Sequence, residues 1–333
     1  MMNDFKIRGG GVYLNNCYLY PYSSFAYNKY VHKYKWLKPK TLLEKSYFYV
    51  YSEEGNPLMV LPLTLSHGNL SFYGDNVSGS GHLDLIYNAN ITDRQIFQAL
   101  YEIRQKHKGY ILDLHKLNER SRLYSFLSRN RESLLKSYQM QLAEERICYK
   151  ICFGEDYDTY FQGLTKNSKS NLKKCYNRIK KQEISMKLVV TQGPFSDKTL
   201  LSKLMHLYTI REGQRIHRKI SFGKYLKNRY FSALTWAMEN MQSHHTFTLM
   251  LNGNPAAFMS GFLTNYNEIV FPIVSMNIDY QQFSPGKLMI SESVKYLQQE
   301  TTIRGIDLSR GDERYKREMG GKPHYNYACI LHL

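Results

Sequence analysis

The sequence predicts an α+β protein made of two copies of one domain, and three features carry that reading. Its 333 residues exceed what a single hydrophobic core usually serves, so two domains follow from length alone. Gly55-Asn56-Pro57 opens a return strand in the first half and Gly253-Asn254-Pro255 does so in the second, about 200 residues later, a period too long for a solenoid. Asp113-Leu114 and Asp307-Leu308 each close a strand that follows a helix. The expected division is residues 1–150 and residues 151–333.

Taken in order, the stretch before Tyr47 is aromatic and irregular. Its Gly9-Gly10-Gly11 lacks the Lys-Ser/Thr and the helix that would make a P-loop. Tyr47 to Tyr51 alternates aromatic and β-branched residues, Glu53-Glu54-Gly55-Asn56 turns, and Leu58 to Leu65 returns as a hairpin partner. Asn69 to Tyr73 makes a third strand, and the loop Gly74 to His82 holds glycines but no cation. Ile96, Leu100 and Ile103 share one face of a helix over Thr92 to Lys106, before a strand from Gly109 to Leu114.

The second half repeats this grammar. Thr246 to Leu251 runs into Asn252-Gly253, a strong hairpin signal, and Ala256 to Leu263 returns. Glu268 to Met276 then leads to a Ser284-Pro285-Gly286 turn, a helix with Ile290, Val294 and Leu297 on one face, and a strand ending at Asp307. His244-His245 reads as an exposed turn, while His206 and His217 lie in a helical region, Leu201 to Arg218, as packing or surface residues.

Composition narrows the classes. A hydrophobic fraction of 43% with 22% charged residues is ordinary for a soluble globular chain. No apolar run approaches roughly 18 residues and no secretory leader is visible, so the expected location is cytoplasmic, with peripheral contact at the inner face of the membrane compatible with the charge. Cys17, Cys148, Cys152, Cys175 and Cys329 are too scattered for a disulfide framework, no metal constellation is evident, and the cysteines read as small apolar residues. The net charge of +17 favours anionic partners without choosing among nucleic acid, nucleotide cofactor and membrane.

Two stretches are candidates for function. The Ser-Pro-Gly turn delivers a strand into a helix N-terminus, where unpaired N–H groups and roughly half a positive charge favour an anion; Gly286 permits close approach and Lys287 adds a cation. The same residues also read as a plain βα turn. Between the halves, Asp156 to Lys181 reads as two helices with a break near Thr165 to Ser168. Tyr157, Tyr160, Phe161 and Leu164 form one apolar stripe, and Leu172, Cys175, Tyr176 and Ile179 form another. Lys169, Lys173, Lys174, Arg178, Lys180 and Lys181 crowd the other faces, as a solvated surface or as a cationic wall.

The wording of residues 156–320 resembles a known family. The Tyr160-Phe161 to Lys174 helices, the Asn252-Gly253-x-Pro255-Ala256-Ala257 hairpin, Ser284-Pro285-Gly286-Lys287-Leu288, and Asp307-Leu308-Ser309-Arg310-Gly311-Asp312-Glu313-Arg314-Tyr315-Lys316 are similar to GNAT-type acyltransferases. The nearest group resembles the CelD-related acyltransferases of polysaccharide biosynthesis, structural cousins of the FemAB peptidyltransferases. The resemblance implies tandem GNAT-like domains, FemAB-like in arrangement, each a mixed, mostly antiparallel sheet flanked by helices, with a degenerate first copy and an active second one. It also implies that Gln281, Gln282, Phe283, Ser284, Gly286, Lys287 and Leu288 hold the pyrophosphate of an acyl-CoA donor such as acetyl-CoA, although Ser284 replaces the first glycine of the family's loop. Tyr315-Lys316 matches the aromatic-Lys pair of Fem-type enzymes, implying that Lys316 lies near the transferred acyl group or a substrate phosphate. Asp307, Asp312 and Tyr315 fall in the same signature as catalytic candidates, and Arg310, Lys169 and Lys173 as substrate-binding ones.

Chemistry constrains those roles. An alkyl amine of pKa about 10.4 costs roughly 4 to 5 kcal/mol to deprotonate at neutral pH, and a carboxylate near pKa about 4 is a weak base for it. Asp307 and Asp312 therefore suit orientation of substrate, or pairing with Arg310 and Lys316, better than proton abstraction. A strand N–H near Val274 to Met276, or Lys316, would hold the oxyanion. Without the resemblance, Asp312 to Lys316 reads as a charge-paired surface turn. Three functions follow: an acyl-CoA-dependent transferase acting on a glycan precursor, amino sugar or related metabolite; a FemAB-like enzyme with aminoacyl-tRNA as donor and a peptidoglycan precursor as acceptor; or a non-catalytic anion- or nucleic-acid-binding module.

Overall fold

A computed structural model describes residues 17–18, 44–72, 82–88, 91–216, 235, 238–264, 266–300 and 302–333. The Gly9-Gly10-Gly11 run, most of the Gly74 to His82 loop, and His217 lie outside the described residues. The chain forms two compact units, one of residues 1–147 with 325–333 and one of residues 148–324.

Unit 1 begins with β1 (Cys17–Tyr18), β2 (Glu44–Glu53), β3 (Asn56–Ser66), β4 (Asn69–Phe72) and β5 (Ile86–Asn88). There follow α1 (Asp93–Lys106), β6 (Ile111–Asn118), α2 (Arg122–Arg129), α3 (Arg131–Tyr138) and the first part of β7 (Gln141–Cys152). Thr92 starts α1 through a reciprocal capping box with Gln95, so Ile96, Leu100 and Ile103 reach the core on one face. β2 and β3 form the expected hairpin, β4 runs antiparallel to β3, and β6 lies parallel to β4 over three rungs from Asn69↔Ile111 to Ser71↔Asp113. The last strand, β13 (Lys322–His332), pairs antiparallel with β6 from Asn326 on.

Unit 2 takes the end of β7, then α4 (Tyr157–Gly163), α5 (Lys166–Lys181), β8 (Met186–Gln192) and α6 (Lys198–Ile216). β9 (His244–Leu251), β10 (Asn254–Leu263), β11 (Glu268–Met276), a 3₁₀ turn (Ile278–Phe283) and α7 (Pro285–Glu300) follow, then β12 (Gly305–Arg310) and α8 (Arg314–Glu318). Its strand order is β7-β12-β11-β10-β9-β8, with β11 and β12 parallel and the other pairs antiparallel. The mixed sheet flanked by helices is the expected α+β arrangement, and the hairpin, third strand, helix and parallel strand recur in both units in the same order.

Strand alternation splits unit 2 into two faces. Phe247, Leu249, Met259, Phe271, Ile306 and Leu308 join Leu288, Ile290, Val294 and Leu297 of α7 and Leu172, Cys175 and Ile179 of α5 in one core. Burying the four α7 side chains contributes roughly 6–12 kcal/mol as an upper bound. On the opposite face, Phe258 and Ile273 pack against Leu201, Leu204 and Met205 of α6. His244-His245 is a correction to the turn reading: both side chains are buried in β9. The imidazole of His244 lies 2.7 Å from the Ser260 hydroxyl, so a pair that looks solvated in sequence serves as strand filling.

Candidate functional site

The sheet of unit 2 comes apart at one rung. β11 and β12 are in register at Glu268↔Gly305, Ile269↔Ile306 and Val270↔Asp307 and at no later position. Just past that rung β11 carries a bulge: Ser260 opposes Ile273 while Phe262 opposes Val270, so two steps on β10 face three on β11. Pro272, which has no N–H to give a ladder, lies inside the bulge. Gly261 lies opposite, where an added Cβ would stand 2.0 Å from the Val270 carbonyl, so this position tolerates only glycine.

β12 kinks at the same level. Its register against β7 slips between Asp307 and Arg310, and Ser309 takes a left-handed φ of 57°. Both strands therefore turn just beyond Val270 and Asp307, leaving the β12-facing edge of the Phe271–Met276 stretch without a ladder partner. The crevice lies at the carboxyl ends of two parallel strands, the usual ligand position of a sheet containing parallel strands.

α7 begins beside this gap. The chain leaves β11, makes the 3₁₀ turn that contains Gln281, Gln282 and buried Phe283, and passes Ser284 at φ 49°. The amides of Lys287 and Leu288 return to the Ser284 carbonyl at 3.0 and 3.2 Å, and Pro285 has no N–H, so Gly286 is the first-turn residue whose amide remains for a ligand. A Cβ at Gly286 would meet only the Met276 sulfur at 3.9 Å, so open space stands over this backbone.

Two cations that the sequence singled out, Lys287 and Arg178, stand at or near the turn. Lys287 Nζ is held 2.6 Å from Glu318, which Arg314 also pairs at 2.7 Å, and this bonding lowers the Glu318 pKa. The guanidinium of Arg178, on exposed α5, instead donates to the Gln282 carbonyl inside the turn. Two tyrosines tie α4 and α5 to α7: Tyr157 lies 2.6 Å from the Ser291 hydroxyl, and Tyr176 donates to Glu292 at 2.6 Å. Burial raises both phenol pKa values. Lys169 donates to the Gln162 carbonyl at 3.1 Å and Lys173 lies 5.9 Å over the Phe161 ring, so these contacts hold them toward α4. Lys169 stands about 14 Å of helix rise from Arg178.

The Asp307–Lys316 signature is a compact knot. Lys316 is 2% exposed, with its ammonium 3.1, 2.6 and 3.2 Å from the carbonyls of Ser309, Arg310 and Gly311 and 3.0 Å from Glu313. Its three hydrogens point at the backbone that kinks β12. Tyr315 packs partly buried against the core of unit 2, and Arg310 lends its carbonyl to the knot. Asp307 and Asp312 have partners beyond the expected Arg310 and Lys316. Buried Asp307 accepts the Ser309 N–H at 2.7 Å and lies 3.1 Å from His324, a residue without signal in the sequence. Asp312 accepts from the Tyr149 hydroxyl at 2.6 Å and from Arg317 at 2.8 Å. Those bonds, Tyr149 first, hold its carboxyl below the usual range and make it a poor proton acceptor at neutral pH.

Cys175 is buried in the core, and among the described residues no three His, Cys, Asp or Glu side chains gather as metal ligands. No helix there is long and apolar enough to cross a membrane.

Residues 166–317 match the acetyltransferase (GNAT) domain family, a span that runs from α5 through the gap, the α7 turn and the Lys316 knot. The matched span lies within the C-terminal unit and supports an acyltransferase. A search of curated proteins returns no match. Among solved structures, a conserved protein of unknown function from Bacteroides thetaiotaomicron VPI-5482 is similar, with TM-score 0.58, 10% identity and coverage of 93% of this chain and 90% of that one. FemX is similar with TM-score 0.55 and 11% identity over 94% of this chain and 95% of its own. L-PGS from Bacillus licheniformis follows with 0.54 and 13% over 86% and 84%. At such identities the likeness is one of fold.

Proposed function

We propose that the C-terminal unit transfers an acyl group from a coenzyme A thioester directly to an amine or hydroxyl of a glycan precursor, amino sugar or related metabolite, as its resemblance to the CelD-related acyltransferases implies. One observation carries the reading: two parallel strands part after three rungs, and the helix that follows opens with Gly286, above whose backbone there is room for a ligand. Such a crevice accepts a slender chain between the strands and a pyrophosphate at the helix.

Here the turn from Gln281 to Leu288 cradles the pyrophosphate, with Arg178 beside it as the cation. The open edge of Val274 to Met276 faces the thioester carbonyl and supplies N–H donors as the oxyanion forms. The acceptor's lone pair attacks the carbonyl carbon, the C–S bond breaks, and the sulfur leaves as a thiolate that takes up the proton lost by the acceptor's nitrogen or oxygen. Asp307, at the last shared rung, and Arg310 orient the acceptor, and Lys316 fixes the kinked backbone that shapes the gap.

A second reading, with aminoacyl-tRNA as donor, is favoured by α5, whose Lys166, Lys173, Lys174, Arg178, Lys180 and Lys181 are exposed on a helix without a carboxylate. Calorimetric titration with acetyl-CoA, longer acyl-CoAs and free CoA, with Gly286→Trp as control, separates the two. The indole would occupy the ligand's space without a backbone clash, so micromolar CoA binding that falls at least tenfold in the variant supports the first reading. Absence of CoA binding with salt-sensitive binding of charged tRNA refutes it in favour of the second.

A further inference from the structure

We propose that unit 1 carries a saccharide-binding cleft on the face of β2 that α1 covers. A cavity of about 600 Å³ lies there, lined by Tyr49, Tyr51, Ala99, Glu102, Lys106 and His107, among others. Tyr49 and Tyr51 stand two residues apart, opposite Leu61 and Met59, so both rings project to the same face. Ala99, Glu102 and Lys106 recur at helical spacing along the facing side of α1, and His107 caps it. Both rings pack, partly buried, against the core of unit 1 and also line the cleft, whose size suits a mono- or disaccharide.

The chemistry of the lining selects the ligand class. An aromatic floor stacks on the apolar C–H face of a pyranose, and polar groups at its rim bond the hydroxyls. Glu102 supplies an acceptor and Lys106 donors, while Lys106 Nζ stays 5.6 Å from the Tyr49 ring. Burial, with the neighbouring Lys106 charge, lowers the His107 pKa, so a neutral imidazole holds the Tyr49 hydroxyl and fixes that ring in the cleft wall. Glu102 and Lys106 cancel, so in a chain of net charge +17 this cleft has no excess of cations and disfavours phosphate. The inference is independent of the acyl-transfer reading.

The test uses the whole chain. Glucose, N-acetylglucosamine and chitobiose are titrated by saturation-transfer NMR and calorimetry, with inorganic phosphate as comparison. Saturable millimolar binding of at least one sugar is expected, weakened about tenfold in Tyr51→Ala and about threefold to tenfold in Glu102→Ala, and unchanged in Gly286→Trp. Glu102 is exposed, so its variant keeps the fold even if Tyr51→Ala does not. No saturable sugar binding, binding indifferent to the Glu102 change, or phosphate bound in place of sugar overturns the proposal.

Discussion

Lys316→Met separates a lysine that does chemistry from one that holds the backbone. The native ammonium satisfies the carbonyls of Ser309, Arg310 and Gly311 and pairs with Glu313, at distances from 2.6 to 3.2 Å, with 2% of the residue exposed. Methionine keeps the volume but leaves the carbonyls unpaired in a buried place, and removing one partner of a buried charged set costs roughly 3–5 kcal/mol. For a unit of this size each kcal/mol lowers the melting temperature by roughly 2–4 °C, so a fall of about 6–20 °C is expected. Thermal unfolding followed by circular dichroism reads it, and donor titration alongside should show weaker CoA binding as β12 relaxes toward β11. Lys316→Arg should fail similarly, since a planar guanidinium cannot present three hydrogens to three converging carbonyls. A Lys316→Met protein that melts like the native one, binds donor normally and has lost only turnover would refute this reasoning and make Lys316 a catalytic group.

Gly261→Ala should destabilise the chain by roughly 1–3 kcal/mol or abolish folding, because its Cβ would stand 2.0 Å from a backbone carbonyl at the bulge; an unchanged denaturant midpoint counts against the bulge. The His244 pKa is lowered to about 3 by burial and the neighbouring His245. With an unfolded value of about 6.5, the unfolded chain binds the proton first, so stability is whole above about pH 6.5 and falls by about 3 kcal/mol by pH 4, a loss His244→Gln should lack; equal pH slopes in urea titrations would refute it.

What the sequence revealed and what it hid follow from the range of the interactions. The β2–β3 and β9–β10 hairpins were legible because Gly55-Asn56 and Asn252-Gly253 are local turn chemistry, and α1 because Thr92 caps it within one turn. β7 and β13 gave no signal: Gln141 to Arg146 is largely exposed and polar, and β13 finds its partner β6 far away in sequence. The bulge had a readable clue, a proline in a strand opposite a glycine in the neighbouring one, but pairing Gly261 with Pro272 requires the register. The cations at the α7 turn were only partly legible for a related reason. Lys287 is adjacent in sequence, yet Glu318 neutralises it, while Arg178 arrives on a helix more than a hundred residues earlier.

The repeat was readable as a shared order of elements, though Asp113 and Asp307 lie inside their strands and not at their ends, and the burial of these two residues was not readable. In unit 1 the parallel pairing ends at Ser71↔Asp113, and in unit 2 at Val270↔Asp307, so an aspartate closes the third rung in both copies. The Asp113 side chain is 31% exposed and faces His115 at 3.1 Å, whereas that of Asp307 is 6% exposed beside His324. A carboxylate in water is screened, while one in a low-dielectric setting acts strongly on whatever charge develops near it. The same residue at the same topological point is thus part-exposed in the first copy and buried in the second. Sequence identity at Asp113 and Asp307 conveys the shared register; burial depends on the rest of each unit and is not written in either local stretch.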